Sequence, residues 1–388
     1  MLIGIIGAPN KGKTTLFSAI TGVEARIENR PFTTIEPNKG RGYVKKRCVE
    51  SELGVKCNPK DSKCINGIRH IPIDFVDVAG LIPGSHMGKG MGNQFLNDLS
   101  SADALIQVID ITGKTDLYGN PSTSFDPCEE VKAVRREVVK WLAEIVKKHM
   151  AKACRSKDPE EALANALSSF RAKKSDILAA EEKMNVPGLS ATWGDEEIER
   201  LSEEILIHTK KLVVAANKID ACEDYKEKVE RLKECAAPVV PCSAEIELAI
   251  QRIVSRGLCE FSSNRLVPKQ ALPQAQMEAL DRLNEFLSHS TTGIDELIYT
   301  TVFESLKCIA VYPVENERSF SDKNGNVLPN LFLMREGDTA LDLAYKIHTE
   351  IGEHMLYGID AKKKERVGKG YLLKDNDVIK IVSASKKS

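Results

Sequence analysis

A doubly wound, mostly parallel α/β sheet followed by a small β-grasp module is the architecture this 388-residue sequence predicts. Three observations predict it. The apolar run Leu2-Ile3-Gly4-Ile5-Ile6 leads directly into GAPNKGKTT, Gly7 to Thr15, which pairs a buried strand with a glycine loop that opens a helix. Two further buried-strand patterns, Ile73 to Val78 and Leu212 to Ala216, run into the polar clusters DVAG and NKID, and sheets of this class bind ligands at the carboxyl ends of their strands. From 304 onward the pattern changes to short strands around a single helix.

The first loop fits G-x-x-x-x-G-K-[ST] at Gly7, Gly12, Lys13 and Thr14. Its glycines let the backbone curl until N–H groups point inward at an anion. Lys13 supplies a point charge for phosphates, and the Thr14 hydroxyl is placed to ligate Mg²⁺. Asn10, Lys11, Gly12, Lys13, Thr14 and Thr15 are therefore the expected phosphate contacts, at a helix N-terminus that favours the anion.

Composition narrows the field. A formal net charge of −1 excludes a globally basic nucleic-acid binder, so any basic patch is local. Ten cysteines without a tight repeating pattern suggest reduced thiols in a cytoplasmic protein. No apolar run approaches the roughly 18 residues of a membrane span. The apolar start lacks the basic flank of a signal peptide.

NKID, Asn217 to Asp220, selects the base. The Asp220 carboxylate can accept from both N1–H and the 2-amino group of guanine, whereas adenine has no proton at N1. A polar site of this kind can reject the wrong base by about 10⁴-fold. Lys218 is expected to cover one face of the ring and Asn217 to brace neighbouring loops. The strand Pro238 to Cys242 leads to Ser243, Ala244 and Glu245, where the Ala244 amide is expected to meet guanine O6. In DVAG, Asp77 belongs near the water shell of the metal, and the Gly80 amide near the γ-phosphate. PFTTIEPN, Pro31 to Asn38, contributes a threonine that closes over Mg²⁺ in the triphosphate state. These five elements in this order read as a GTPase.

PFTTIEPN together with DVAGLIPGSHMGKGMGNQFL, Asp77 to Leu96, resembles the Obg-like GTPases and specifically their YchF-type branch. The resemblance implies that Thr34, rather than Thr33, is the Mg²⁺ threonine, which with Thr14 and Asp77 completes the metal set. Some members of the branch are altered at NKxD and accept ATP, so the intact NKID implies GTP. Leu81 follows Gly80 where many GTPases carry a water-orienting glutamine. Lys13, Thr34, Gly80 and His86 are the catalytic candidates. Asn10 matches an asparagine that helps hold K⁺ in related GTPases lacking the glutamine. His86 is an alternative polar group, with a mobile surface residue as its plain reading, and a partner acting in trans is the third option. Gly80, Gly84, Gly88, Gly90 and Gly92 make the switch too glycine-rich to stay rigid alone.

The rest of the chain divides by pattern. From about 127 to 206 the spacing of Val131, Val134, Val138, Trp141 or Leu142, and Ile145 is helical, and Asp158-Pro159 starts another helix. The expectation is a projecting helical hairpin inserted in a G domain of residues 1–303, with a helical linker at about 250–303. Cys48, Cys57, Cys64 and His70 invite a zinc reading, but their gaps of nine, seven and six lack the close pairs of structural sites. Reduced cysteines on a β-hairpin insertion are the expectation.

In the last segment, 304–388, Cys308 to Pro313 reads as a strand, Asn324-Gly325 as a turn, Thr339 to Asp342 as a capping box and Asp377 to Val382 as a closing strand. VYPV, NVLPNLFLMREGDTALDLAYKIH and DNDVIKIV resemble the TGS domain, which implies contact with RNA or the ribosome. From Asp360 to Ser388 nine Lys/Arg stand against four Asp/Glu. The sequence thus reads as a Mg²⁺-dependent, slow GTPase, monomeric or else dimeric, that switches between GTP and GDP on the ribosome or RNA. The alternative is a stress- or metabolism-linked NTPase with a protein partner and incidental turnover.

Overall fold

The computed structural model describes residues 1–22, 38–78, 80, 84, 99–236 and 238–384. Thr34 and His86 lie outside the described residues, as do Thr33, Leu81, Gly88, Gly90 and Gly92. The chain forms two compact units. One comprises Met1–Gly42 with Ile73–Thr301, and the other Tyr43–Pro72 with Val302–Ser388. A contiguous cut at 303/304 does not anticipate this division, because Tyr43–Pro72 belongs with the C-terminal unit.

The main sheet takes β1 (Leu2–Ile6), β2 (Asn38–Arg47), β3 (Lys63–Ile65), β4 (Ile68–Asp77), β5 (Ala104–Asp110), β6 (Lys211–Asn217) and β7 (Val239–Pro241). Their order is β2-β4-β1-β5-β6-β7, with β3 paired to β4. Pairing is parallel from β4 through β7, in the register Ile5 to Asp77, Ile5 to Ile106 and Asp110 to Asn217. That register brings Asp77, Asp110 and Asn217 to one edge of the sheet. Every residue of β5 is buried, as a parallel strand covered on both faces requires.

The helical hairpin is present in Pro127–Ala153 and Asp195–Thr209, with the short helices Pro159–Ala166 and Lys174–Met184 between them. Its two arms are antiparallel, since Arg135 pairs with Glu203 and Lys147 with Asp195. Rather than standing apart, the insertion shares one core with the sheet. Val76 and Leu105 cluster with Trp141, Leu142, Leu163 and Phe170. Asp126 caps the long helix by accepting from the Cys128 N–H, and a proline follows at the first helical position.

Two expectations need correction. The expected helical linker contains a hairpin of β8 (Cys259–Ser262) and β9 (Arg265–Pro268) before the helix Gln274–His289. Its turn residues Ser263 and Asn264 both have positive φ, 50° and 57°, the conformation of a type I′ turn. The cysteines are also not all reduced: Cys128 and Cys235 form a disulfide with Cα atoms 6.2 Å apart, and eight remain free.

In the second unit, β10 (Cys308–Val314), β11 (Phe332–Arg335), β12 (Met355–Asp360), β13 (Glu365–Val367) and β14 (Val378–Ser383) form a sheet ordered β11-β10-β14-β12-β13. The first hairpin is in register Cys308 to Arg335, and β10 runs parallel to β14. The helix Ala340–Ile347 is closed by a Thr339/Asp342 capping box and packs Leu343 against Val311, Met334 and Ile379. A strand–helix–strand arrangement about a central parallel pair is the expected β-grasp. On its other side, Tyr312, Leu328 and Val378 pack with Cys48 and Val49. The 43–72 segment is therefore built into this unit's core.

Candidate nucleotide-binding site

The phosphate loop is shaped by close backbone approaches. Gly7 has φ 147°, and a Cβ there would fall 2.4 Å from the Val108 carbonyl oxygen; Gly12 has φ 91°, and its Cβ would fall 2.4 Å from Asn217 Nδ2. Neither position tolerates a side chain. Lys13 and Thr14 open the helix Lys13–Thr21, with Thr15 half-buried behind them.

Lys13 curls over the loop and donates to the Ala8 carbonyl at 2.8 Å. Burial lowers its pKa to about 8, although Asp77 and Glu130 pull the other way. A Cβ on Gly80 would lie 3.3 Å from Lys13 Nζ, so Gly80 comes close to the loop lysine. Thr14 Oγ1 donates to Asp77 Oδ2 at 2.9 Å. Burial pushes the Asp77 carboxyl up from its ordinary value, while Lys13 and the Thr14 bond oppose it. Its Oδ1 is buried with no hydrogen-bond partner among the described residues. A buried hydroxyl–carboxylate pair with an unsatisfied oxygen beside a phosphate loop fits Mg²⁺ and its water shell.

Asn217 braces two loops, as its place in NKID suggests. Its Nδ2 donates to the Lys11 carbonyl at 3.0 Å, and its Oδ1 accepts from the Ala244 amide at 3.1 Å. In this structure the Ala244 amide, expected to meet guanine O6, donates to Asn217. Lys218, at φ 70°, donates to the Asn10 carbonyl at 3.0 Å and to Asp110 Oδ2 at 2.9 Å. The exposed Asp220 is aimed by Ser243, whose hydroxyl donates to Oδ1 at 2.5 Å and accepts from Ile246 N. Glu245 is exposed in the first turn of the helix Ala244–Ser255. Shallow clefts open beside Asp220, one lined by Ile219, Tyr225 and Phe286 and another by Ile246, Ile253 and Leu283.

One loop residue behaves differently from expectation. Lys11 turns inward, fully buried, to pair with Glu130 at 3.0 Å and to donate to Thr115. Its side chain braces the loop from behind, so only its backbone is available to a ligand. Burial lifts the Glu130 carboxyl to about 7, against the pull of Lys11. Asn10, exposed at φ 61°, donates from Nδ2 to the Gly119 carbonyl at 2.9 Å.

Sequence reasoning missed Asp110, Thr115 and Glu130. Asp110 accepts from Thr112, Thr115 and Lys218. Burial opposes its charge, but those bonds outweigh it and hold the carboxyl below the ordinary range. The available signal was another buried strand ending in aspartate, as the strand ending at Asp77 does. Away from this site, Cys48, Cys57 and Cys64 converge in the second unit, whereas His70 packs near the Tyr43 ring at 6.4 Å.

Three family models match the chain: a 50S ribosome-binding GTPase over residues 2–154, an Obg-like GTPase YGR210-like, G4 motif-containing domain over 215–316, and a TGS domain over 318–383. A GTP-binding protein of Methanocaldococcus jannaschii is 46% identical over 99% of this chain and 100% of its own length. The crystal structure of a GTP-binding protein from Pyrococcus horikoshii is 35% identical, with a TM-score of 0.79 over 99% of this chain and 100% of that one. The ribosome-binding ATPase YchF of Bacillus subtilis is 26% identical over 97% of this chain and 97% of its own.

Proposed function

The chain belongs to the YchF-type branch of the Obg-like P-loop GTPases, and on that premise we propose that it hydrolyses GTP to GDP and phosphate as a nucleotide-dependent switch that binds the ribosome or its RNA. One observation carries the reading. The phosphate loop, the Thr14–Asp77 pair and NKID converge at one sheet edge and are joined by hydrogen bonds from Asn217 and Lys218 to the loop itself. Base reading and phosphate holding are then parts of one rigid constellation.

In this reading the backbone of Gly12 to Thr15 receives the phosphates and Lys13 exchanges the Ala8 carbonyl for their charge. Thr14 and Asp77 would hold Mg²⁺, with Thr34 as a third proposed ligand. The metal's contribution when bound is neutralisation of the phosphate charge that develops during transfer. Asp220, set by Ser243, accepts from N1–H and the 2-amino group of guanine. Relatives named ATPases make this base preference the point to test first. With leucine after Gly80, water has no glutamine to orient it, and turnover is slow. Asn10 keeps its side-chain oxygen available while Gly119 holds its nitrogen, a donor suited to K⁺ beside the phosphates. His86 is the other proposed contributor.

The ribosome part of the reading rests on the TGS module and on the similarity to the ribosome-binding ATPase of Bacillus subtilis. The decisive experiment compares GTP, XTP and ATP binding for wild type and Asp220→Asn, then pellets ribosomes with each form. Wild type should prefer GTP over ATP, and Asp220→Asn should prefer XTP, because an amide donates where the carboxylate accepted. Pelleting should differ between GTP and GDP. ATP bound as tightly as GTP would overturn the base assignment, and pelleting indifferent to nucleotide would overturn the switch.

A further inference from the structure

We propose that Cys48, Cys57 and Cys64, together with Glu50, bind a zinc ion that fastens the 43–72 segment within the C-terminal unit. The four side chains come from different local structures. Cys48 follows β2, Glu50 opens the one-turn helix Glu50–Leu53, Cys57 lies in the ensuing loop and Cys64 is at the centre of β3. Their ligand atoms nevertheless all lie within 4.8 Å of one another. Cys48 Sγ is 4.0 Å from Cys57 Sγ, and Cys64 Sγ is 3.6 Å from Glu50 Oε1. Corners of a tetrahedron with zinc–sulfur arms of about 2.3 Å stand about 3.8 Å apart, and a sulfur–oxygen edge is about 3.5 Å. The observed separations match both kinds of edge.

Two observations outside the sulfur cluster point the same way. The Glu50 carboxylate is already oriented, since Oε2 accepts from the Cys57 N–H at 2.9 Å while Oε1 faces Cys64. Holding one oxygen to aim the other is how outer-sphere bonds set a metal ligand. Arg69 is fully buried; among the described residues it forms no direct ion pair, and the Glu50 carboxylate that feels its charge belongs to the same cluster. It donates to the Leu328 carbonyl and sits 3.5 Å from Cys57 Sγ. A buried guanidinium without a directly paired anion is costly. Metal-bound thiolates supply that anion, and the cation in turn offsets the negative charge of a site with three thiolates and a carboxylate around a divalent ion.

Gaps of nine and seven residues between the cysteines provide no close pair along the chain. Here the fold supplies the proximity instead, through the β3–β4 register that places Cys64 opposite Arg69 and through Cys48 N donating to the Gly67 carbonyl at 2.8 Å. Strand alternation sends His70 to the opposite face from Arg69, so it is no ligand. As zinc enters, the three thiol protons leave to solvent.

The test is the metal content of the full-length chain, purified under reducing conditions. Wild type and His70→Ala should carry near-stoichiometric zinc. Cys57→Ser and Cys64→Ser should fall to background while GTP binding persists, which shows the variants to be folded. Independently, Co²⁺ added to reduced wild type should give thiolate-to-cobalt charge-transfer absorption and tetrahedral d–d bands, both discharged by Zn²⁺. Background zinc in wild type with no cobalt spectrum overturns the proposal. So does full zinc in the Cys57→Ser/Cys64→Ser double variant, iron in place of zinc, or a native Cys48–Cys57 disulfide.

Discussion

Lys13 shows how one residue reports on the state of its site. Burial holds its ammonium at about 8, and a bound polyphosphate restores the charge by facing it with anions. The nucleotide therefore selects the protonated form. Affinity should hold steady below pH 8 and fall by up to about tenfold per unit above it, until the pKa of the complex is reached. Calorimetry of GTP binding at pH 8, in buffers of different ionisation heat, should reveal uptake of about half a proton. No uptake would mean that the lysine is not depressed. Lys11 next to it makes a contrasting case, because its charge is spent on Glu130 within the protein. Lys11→Met should destabilise the fold by about 3–5 kcal/mol by stranding a buried carboxylate, and adding Glu130→Met should recover most of the loss. Denaturant melts of the four forms check this, and simple additivity would show that the two groups do not depend on each other.

At the scale of elements, the long helix Pro127–Ala153 links parts of the fold that local pattern treats separately. It carries Glu130 beneath the phosphate loop and Glu137, whose Oε1 accepts from the Gly84 amide at 3.0 Å. Its first turn also joins the helix Tyr225–Cys235 through the Cys128–Cys235 disulfide and the Arg231–Asp126 ion pair at 2.7 Å. The exposed ion pair contributes little. The disulfide closes a long loop, so reducing it, or changing Cys235 to Ser, should lower the stability of this unit by about 2–4 kcal/mol. Urea midpoints with and without reductant measure it. An unchanged midpoint means that the bond does not alter the free energy of unfolding.

For the whole molecule, the division of the chain bears on the proposed ribosome contact. The basic run near the C-terminus is partly neutralised within its own unit. Lys362 pairs with Glu52 at 2.7 Å, Lys363 with Asp360 at 3.1 Å, and Arg366 stacks 3.5 Å over the Tyr357 ring. Lys364 and Lys369 are exposed and have no ion pair among the described residues. If this surface rests on phosphates, Lys364→Gln and Lys369→Gln should each reduce the magnitude of the salt slope by about 0.7 to 0.9, with Lys362→Gln having the smaller effect. GTP turnover should survive in all three. Equal co-sedimentation of the Lys364→Gln/Lys369→Gln variant across salt would place the contact elsewhere.

What the sequence determined by itself was carried by contiguous residues. The curl of Gly7 to Thr15, the strand ends at Asp77 and Asn217, the Thr339 capping box and the β-grasp pattern each depend on neighbours along the chain, whose spacing limits what the backbone can do. The Ser263-Asn264 turn was equally local and was missed because the helical pattern around Leu280 to Leu287 dominated that stretch. Tertiary structure alone decided the rest. Only the register of β1, β5 and β6 brings Asp110 to Lys218, and only the packing of the insertion turns Lys11 toward Glu130 and away from a ligand. The same is true of Cys48, Cys57 and Cys64, whose spacing shows no motif yet whose sulfurs meet beside Glu50. Proximity between residues distant in sequence is set by sheet order and core packing, which depend on the whole chain rather than on any window of it.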